Sequence, residues 1–493
     1  ITLTSGATTG DEVNVFAFGN FTVADTVSAS SGGTFTGGVT MNGGATVSGN
    51  LSVDGGTIKL DGNYPVGSQN VALGNQASDA LTSGIRNTAV GDTALTANTT
   101  GSNNVAIGFA SLTSNVGGTY NTAVGRSALS SNTADGNTAV GFLALTANTT
   151  GTDNTAAGIG ALDANTTGVD NAAFGGYALT DNTSGGSNLA AGYLALGDNT
   201  SGSNNTAVGR NALRLNTTAS NNTAVGYKAL EDNTIGTNNV AVGRGASQSS
   251  VTGTKNTALG DSALYLNTAS NNTAVGADAL LANTTGQYNV AVGTYALDAN
   301  TTSSDNTAVG YNALTANTTG TENVAVGGSS LAANTTGIEN VAIGQYALYD
   351  NVTGSKNTAV GLSALENNTA SFNTAVGNDA LKANTTGAAN VALGTSALLA
   401  NTTGGSNTVI GYGALGAQTT GNANTAVGQE AGGSLTTSSD CTFIGQYTGN
   451  STTGGDNTFV GGQAGRYIST GASNTILGRY NGNQDGLDIR TAS

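Results

Sequence analysis

The sequence predicts an all-β protein: a parallel β-solenoid (β-roll) of 17-residue coils, assembled as a parallel homotrimeric fibre. Three observations carry this. The segment Asn87-Thr88-Ala89-Val90-Gly91 recurs along the chain, and its last glycine falls 25 times between Gly74 and Gly478. Of the 24 intervals between those glycines, twenty are 17 residues long and four are 16. The repeated unit also carries glycines and β-branched threonines at a density no helix of this length tolerates, whereas short strands joined by turns accept both. A fixed period of this size is the mark of a stacked repeat architecture.

The unit reads Asn-Thr-Ala-Val-Gly-x-x-Ala-Leu-x-x-Asn-Thr-Thr-Gly-x-x, numbered here from 1 to 17. Positions 2–4 predict a short strand, position 5 a glycine turn, positions 8 and 9 a second short strand, and the Asn-Thr-Thr-Gly segment another turn. The four short intervals lose their residue near position 15, outside the strands. Position 1 is Asn in 24 of 25 copies. An invariant amide suggests a ladder in which each side chain bonds the next rung about 4.8 Å away. Asn87, Asn104, Asn121, Asn205, Asn222 and Asn239 represent that row.

Position 3 is Ala in 21 of 25 copies and position 4 is apolar in all 25. Adjacent strand residues face opposite ways, so two apolar neighbours imply that both faces are buried. Positions 8 and 9 repeat the pattern. Val90, Val208, Val225, Leu95, Leu213 and Leu230 are therefore assigned to the coil interior. Ala89, Ala207, Ala224 and Ala241 are assigned to close packing against other copies of the chain. A coil this narrow holds too little core to stand alone. Cyclic symmetry makes a uniform contact row economical, three chains being the usual solution. At about 4.8 Å per coil, the 24 intervals predict a rod roughly 115 Å long.

The ends depart from this unit. Residues 1–33 read as a small β module containing the strand-like run Val13 to Phe18. Residues 34–69 carry a six-residue repeat, with Phe35, Met41, Val47 and Val53 in one row, suited to a triple β-helix-like shaft. The main array occupies 70–427. In 428–482 position 9 becomes Gly432, Gly449 and Gly465, and position 3 becomes Phe443, Phe459 and Ile476, which implies an altered coil cross-section. Residues 483–493 read as a polar linker to an absent C-terminal part. The chain does not begin with Met, and is read as a processed or partial product.

Composition narrows the function. The 493 residues include no His, one Cys and no Trp, and the net charge is −16. Without His, Ser-His-Asp and Cys-His catalysis and most zinc sites are unavailable. Carboxylates stand singly in turns, among them Asp92, Asp153 and Asp170, with no spacing suited to paired acid and base work. An enzyme is therefore not expected, nor is any cofactor or metal. An acidic chain repels phosphate, so nucleic acid is not an expected partner. No apolar run is long enough to insert as a membrane-spanning helix, and no signal peptide is visible.

The Asn-Thr-Ala-Val-Gly and Asn-Val-Ala-Ile-Gly units resemble the head repeats of trimeric autotransporter adhesins, whose units are shorter. The longer unit with Ala-Leu-x-x-Asn-Thr-Thr-Gly looks more like repeats of phage tail fibres. The segment Gly49-Asn50-Leu51-Ser52-Val53-Asp54-Gly55 resembles tail-fibre shafts. The end, Gly486 to Ser493, is similar to sequence that precedes a self-cleaving chaperone domain in such fibres. The resemblance spans about residues 70–493. It implies a structural fibre on a virion or cell surface that mediates attachment, with two further copies of itself and a host-surface glycan or protein receptor as partners. The alternatives are a bacterial surface adhesin or extracellular filament, and a monomeric ice- or ligand-binding solenoid.

Several residues are candidates for contact chemistry. Positions 6 and 7 vary most and point outward. Their tyrosines, Tyr177, Tyr193, Tyr227, Tyr295, Tyr311 and Tyr346, suit stacking on sugars or contact with a host surface, or simply mark a tolerant surface. Cys441 replaces a ladder Asn and would place three thiols near a trimer axis, or else lie buried and inert. The Thr pairs at 13 and 14 are the residue type of ice-binding arrays, but they sit in a turn.

Overall fold

Each copy of the unit forms one coil, and successive coils stack position upon position. The computed structural model describes residues 69–484 and 487–488, within a compact unit spanning Asp61–Ser493. The expectations for 1–33 and for 34–69, Gln69 apart, lie outside the described residues. Twenty-five strands of three residues, from β1 (Val71–Leu73) to β25 (Thr475–Leu477), make one parallel sheet. Each strand pairs in register with the strand of the next coil, so that Thr88, Ala89 and Val90 lie against Val105, Ala106 and Ile107. Among the described residues there is no helix. The chain is an all-β parallel β-solenoid.

The second strand expected at positions 8 and 9 is absent. Positions 6–11 form consecutive turns, and positions 7 and 9 are left-handed: Thr93 and Leu95 both have φ of 56°. This resolves the apparent paradox of two adjacent apolar residues. In a strand Ala94 and Leu95 would point apart, but the left-handed residue swings both side chains inward, and both are fully buried. Left-handed geometry costs an L-residue about 1–2 kcal/mol. Burying a leucine contributes about 1.5–3 kcal/mol, enough to offset it. The same geometry penalises β-branched side chains more than leucine, and neither Val nor Ile occurs at position 9.

Two assignments made from the sequence are reversed by the strand geometry. Ala89, Ala207, Ala224 and Ala241 have no solvent exposure within a single chain. They pack inside their own coil and are not available to another copy. Val90, Val208 and Val225 point the other way, out of the coil, and Val208 is 36 % exposed. The physical reason is coil width: the sheet side of the interior faces a buried leucine across a narrow space, which alanine fills in nearly every coil and the fully buried Val409 fills opposite Leu415. Leu95, Leu213 and Leu230 do lie in the interior, fully buried.

The glycine of position 5 is required by stacking as well as by conformation. Gly91 has φ of 136°, and a Cβ there would lie 2.6 Å from the carbonyl oxygen of Gly108 in the next coil. The turns also bond from coil to coil: the Leu95 N–H donates to Ser111 O at 2.9 Å, and the Thr99 N–H to Val116 O at 2.9 Å. In the first short coil the Asn132 amide donates to Ala134 O at 2.9 Å, where in the preceding coil Asn115 reaches Gly118 O at 3.0 Å. The missing residue therefore comes out of the turn between the amide and its acceptor, and the acceptor is kept.

Over 428–482 the strand register is kept. Positions 3 and 9 both face the same interior, so their volumes trade. A Cβ on Gly449 would lie 2.6 Å from the Phe443 ring, and one on Gly432 would lie 2.7 Å from it. Phenylalanine at position 3 thus fills the space that leucine occupies elsewhere, while strand register continues unbroken from Ala426 to Phe443 to Phe459. The final segment is not wholly a linker: β26 (Asn483–Gln484) and β27 (Leu487–Asp488) pair antiparallel. This trade makes a prediction. Ala207→Phe should lower thermal stability through overpacking of about 1–3 kcal/mol. Adding Leu196→Gly and Leu213→Gly should recover most of it, as read by thermal unfolding; no recovery would refute the shared interior.

Candidate functional site

Two polar rows run through the solenoid interior, and only one of them was expected from the sequence. At position 1 the amide oxygen of each asparagine accepts the backbone N–H of the asparagine one coil later. These bonds measure 2.8–3.1 Å and run without a break from Asn70 to Cys441. Asn87, Asn104, Asn121, Asn205, Asn222 and Asn239 are all in it. The amide nitrogen turns the other way: Asn87 Nδ2 donates to Gly101 O at 2.9 Å and Asn222 Nδ2 to Gly236 O at 2.9 Å. Each carboxamide thus bonds the next coil with its oxygen and closes its own coil with its nitrogen.

The second row stands at position 12 and was missed, because Asn-Thr-Thr-Gly reads as ordinary turn chemistry. Here the ladder runs amide to amide, as from Asn165 to Asn148 and from Asn182 to Asn165, both at 2.8 Å. Each of these amides also donates to the position-15 carbonyl of its own coil, as Asn165 does to Gly168 O at 3.1 Å. That carbonyl therefore accepts from both rows. The signal in the sequence was recurrence: from Asn98 to Gln418 position 12 is Asn in 18 of 20 copies. The row breaks where a short coil or a substitution interrupts it, and the oxygens of Asn115, Asn233, Asn351 and Asn401 are buried there without a partner.

Cys441 occupies a place in the first row. Its N–H donates to Asn424 Oδ1 at 2.9 Å, and its Sγ lies 3.6 Å from Gly454 O, the carbonyl an asparagine would reach. The thiol is buried inside its own coil, so thiols of neighbouring copies do not meet there. Burial pushes its pKa up from the ordinary value.

Outside the coil, positions 2 and 4 flank each buried alanine and give the outer face of the sheet two continuous rows. Leu73 is 47 % exposed, Phe174 46 % and Leu259 47 % in the position-4 row. The position-13 threonines do not form a free hydroxyl array: Thr99 Oγ1 donates to Val116 O at 3.1 Å and Thr166 Oγ1 to Thr183 O at 2.9 Å. The six tyrosines named above are all exposed, but the structure does not gather them into one cluster. Tyr177 and Tyr193 meet edge to face with centroids 6.1 Å apart, and Tyr295 and Tyr311 do so at 6.3 Å, while Tyr346 pairs with Tyr349.

Among the described residues no group of three or more His, Cys, Asp and Glu is close enough to hold a metal ion. No helix of the described residues is long and apolar enough to cross a membrane. Burial pushes the carboxyls of Asp163, Asp198 and Asp232 up from their ordinary value, but they lie on three separate coils. Comparison with protein-family models finds no match, and comparison with curated proteins finds none either.

The polar rows predict two outcomes. Asn222→Ala leaves the buried Asn239 N–H without its acceptor and should cost about 1–3 kcal/mol. Asn222→Asp should be worse at neutral pH and recover as pH falls. Burial raises the folded carboxyl's pKa above its unfolded value, so the folded state binds the extra proton; melting at pH 5 against pH 8 checks the sign. Native Cys441 should react with a thiol reagent at least ~100-fold more slowly than in denaturant, read by labelling kinetics.

Proposed function

We propose that this chain is a structural fibre protein: three parallel copies form a rod that projects from a virion or cell surface and mediates attachment. The observation that supports this best is the outer face of the sheet. Position 4 is apolar in all 25 coils, and the sheet gives that row no cover of its own. At about 4.8 Å per coil and about 7 Å across, positions 2 and 4 together span roughly 800 Å², about half of it the apolar position-4 row and the rest the mostly Thr position-2 row. Soluble monomers rarely leave a contiguous apolar patch of more than a few hundred Å² exposed. An area of about 800 Å² per partner is what a stable protein interface covers.

A second copy suits this face because the same stripe runs the same length in every copy, and rungs of equal rise keep side chains in step. Residues at positions 2 and 4, such as Thr206, Val208, Thr223 and Val225, become the contact row in place of the alanines. Cyclic symmetry then closes the assembly. The likeness of the repeat to those of tail fibres and trimeric adhesins supports three chains and an attachment role. It favours the fibre of a virion over a bacterial adhesin through the Ala-Leu-x-x-Asn-Thr-Thr-Gly segment.

One observation favours a different reading. The position-2 row is mostly Thr on a flat, regular sheet, the residue type of ice-binding solenoids, which act as monomers.

Native mass separates the two. Light scattering should give about three times the 47.8 kDa of one chain. Val208→Glu with Val225→Glu and Val242→Glu should release single chains that keep their β circular dichroism, since these side chains point away from the core. A native mass of one chain, together with thermal hysteresis in ice, would overturn the fibre in favour of the ice binder.

A further inference from the structure

Along one turn of the solenoid, aromatic and basic side chains alternate at position 6 in two groups of coils, Phe109-Arg126-Phe142 and Tyr193-Arg210-Tyr227, with Ile159 and Gly176 between them. Phe109, Arg126 and Phe142 stand at position 6 of three successive coils. The Arg126 guanidinium lies 5.7 Å from the Phe109 ring centroid and 5.8 Å from that of Phe142. The pattern returns five coils on, where Arg210 lies 5.8 Å from the Tyr193 ring and Tyr227 follows in the next coil. The rings are open: Phe109 is 49 %, Phe142 43 %, Tyr193 47 % and Tyr227 45 % exposed.

The cations on this ridge differ in their partners. Lys228 is bound to Glu231 at 3.0 Å and Arg244 to Asp261 at 2.7 Å. Among the described residues no carboxylate pairs with Arg126 or Arg210, although the chain carries a net charge of −16. Two guanidiniums are thus held by aromatic rings with their planar donor forks unused.

We infer that the two groups of this ridge, Phe109-Arg126-Phe142 and Tyr193-Arg210-Tyr227, each bind a segment of an extended acidic polysaccharide that carries one carboxylate per disaccharide. Aromatic faces stack on the apolar faces of pyranose rings, and a guanidinium fork takes a carboxylate through paired hydrogen bonds. The geometry suits a repeating chain. Phe109 and Phe142 are two coils apart, about 9.6 Å, and so are Tyr193 and Tyr227. That spacing is comparable to the repeat of a disaccharide in an extended β-linked polymer, with a guanidinium midway between each pair of rings.

Single-stranded nucleic acid also stacks on aromatic rings, but it needs cations to match a phosphate at every nucleotide. The two unpaired guanidiniums are five coils apart, about 24 Å, which is too sparse for that polyanion. This inference deepens the attachment reading and rests on it, but it does not depend on the number of chains.

Titration calorimetry on the full chain tests it, with hyaluronan oligosaccharides as the probe and cellohexaose and oligo-dT as comparisons. The expected result is hyaluronan binding that weakens at least ten-fold in Arg126→Ala/Arg210→Ala and at least ten-fold in Phe142→Ala/Tyr193→Ala. These residues are exposed, and unchanged circular dichroism and native mass verify that the variants fold. Absence of hyaluronan binding, binding indifferent to both variant pairs, or equal affinity for cellohexaose or oligo-dT would each overturn the inference. If binding fails in a preparation of trimer mass, the fibre reading stands and this one falls. If a single chain binds, the trimer falls and the ridge stands.

Discussion

Each coil is held to the next by a carboxamide whose oxygen accepts a backbone N–H from the coil that follows. Three-residue strands supply few ladder bonds per rung, and most of the coil is turn. A turn ordinarily leaves backbone groups to water, but the turns here close over a buried interior. The position-1 asparagine meets that demand from both ends, bonding one coil with its oxygen and its own coil with its nitrogen. Asp would lack the donor and Ser the reach, which accounts for the near-invariance of the residue. The second row at position 12 closes the same carbonyl from the other side. The backbone of the turn is thereby fixed, and the apolar residues beside it inherit fixed positions.

Given that frame, the interior has a constant volume to fill. Most coils divide it between alanine on the strand and leucine on the turn. The coils near the C-terminal end divide it between phenylalanine and glycine, with the same strand register. Stacked coils share one wall with each neighbour, so a phenylalanine occupies space over its own coil's glycine and over that of the coil before. Such sharing ties the choice at one coil to the next, and explains why the exchange occurs in consecutive copies rather than singly.

The period, the class of fold, the stacking of like upon like and the interior place of the leucines were legible in the sequence. So was the special status of Asn87 and its counterparts. The direction in which Ala89 and Val90 point was not, because alternation alone does not say which of two apolar faces is inside. The left-handed conformation of Leu95 decided it: leucine and alanine of the turn both enter the coil, leaving room for a small side chain opposite. The Asn98 row was hidden because its residues double as good turn formers. The alternation of rings and guanidiniums on the surface was invisible at the level of single coils. It emerges only when residues 17 apart are placed side by side.

Every described coil offers its successor the same upper surface that it received from its predecessor. The length of the array is therefore set by copy number. Duplication or loss of a whole unit changes reach by one step of about 4.8 Å and leaves the interior chemistry untouched. The 16-residue coils add a finer degree of freedom, since they shorten the contour of the chain without removing a step from the array.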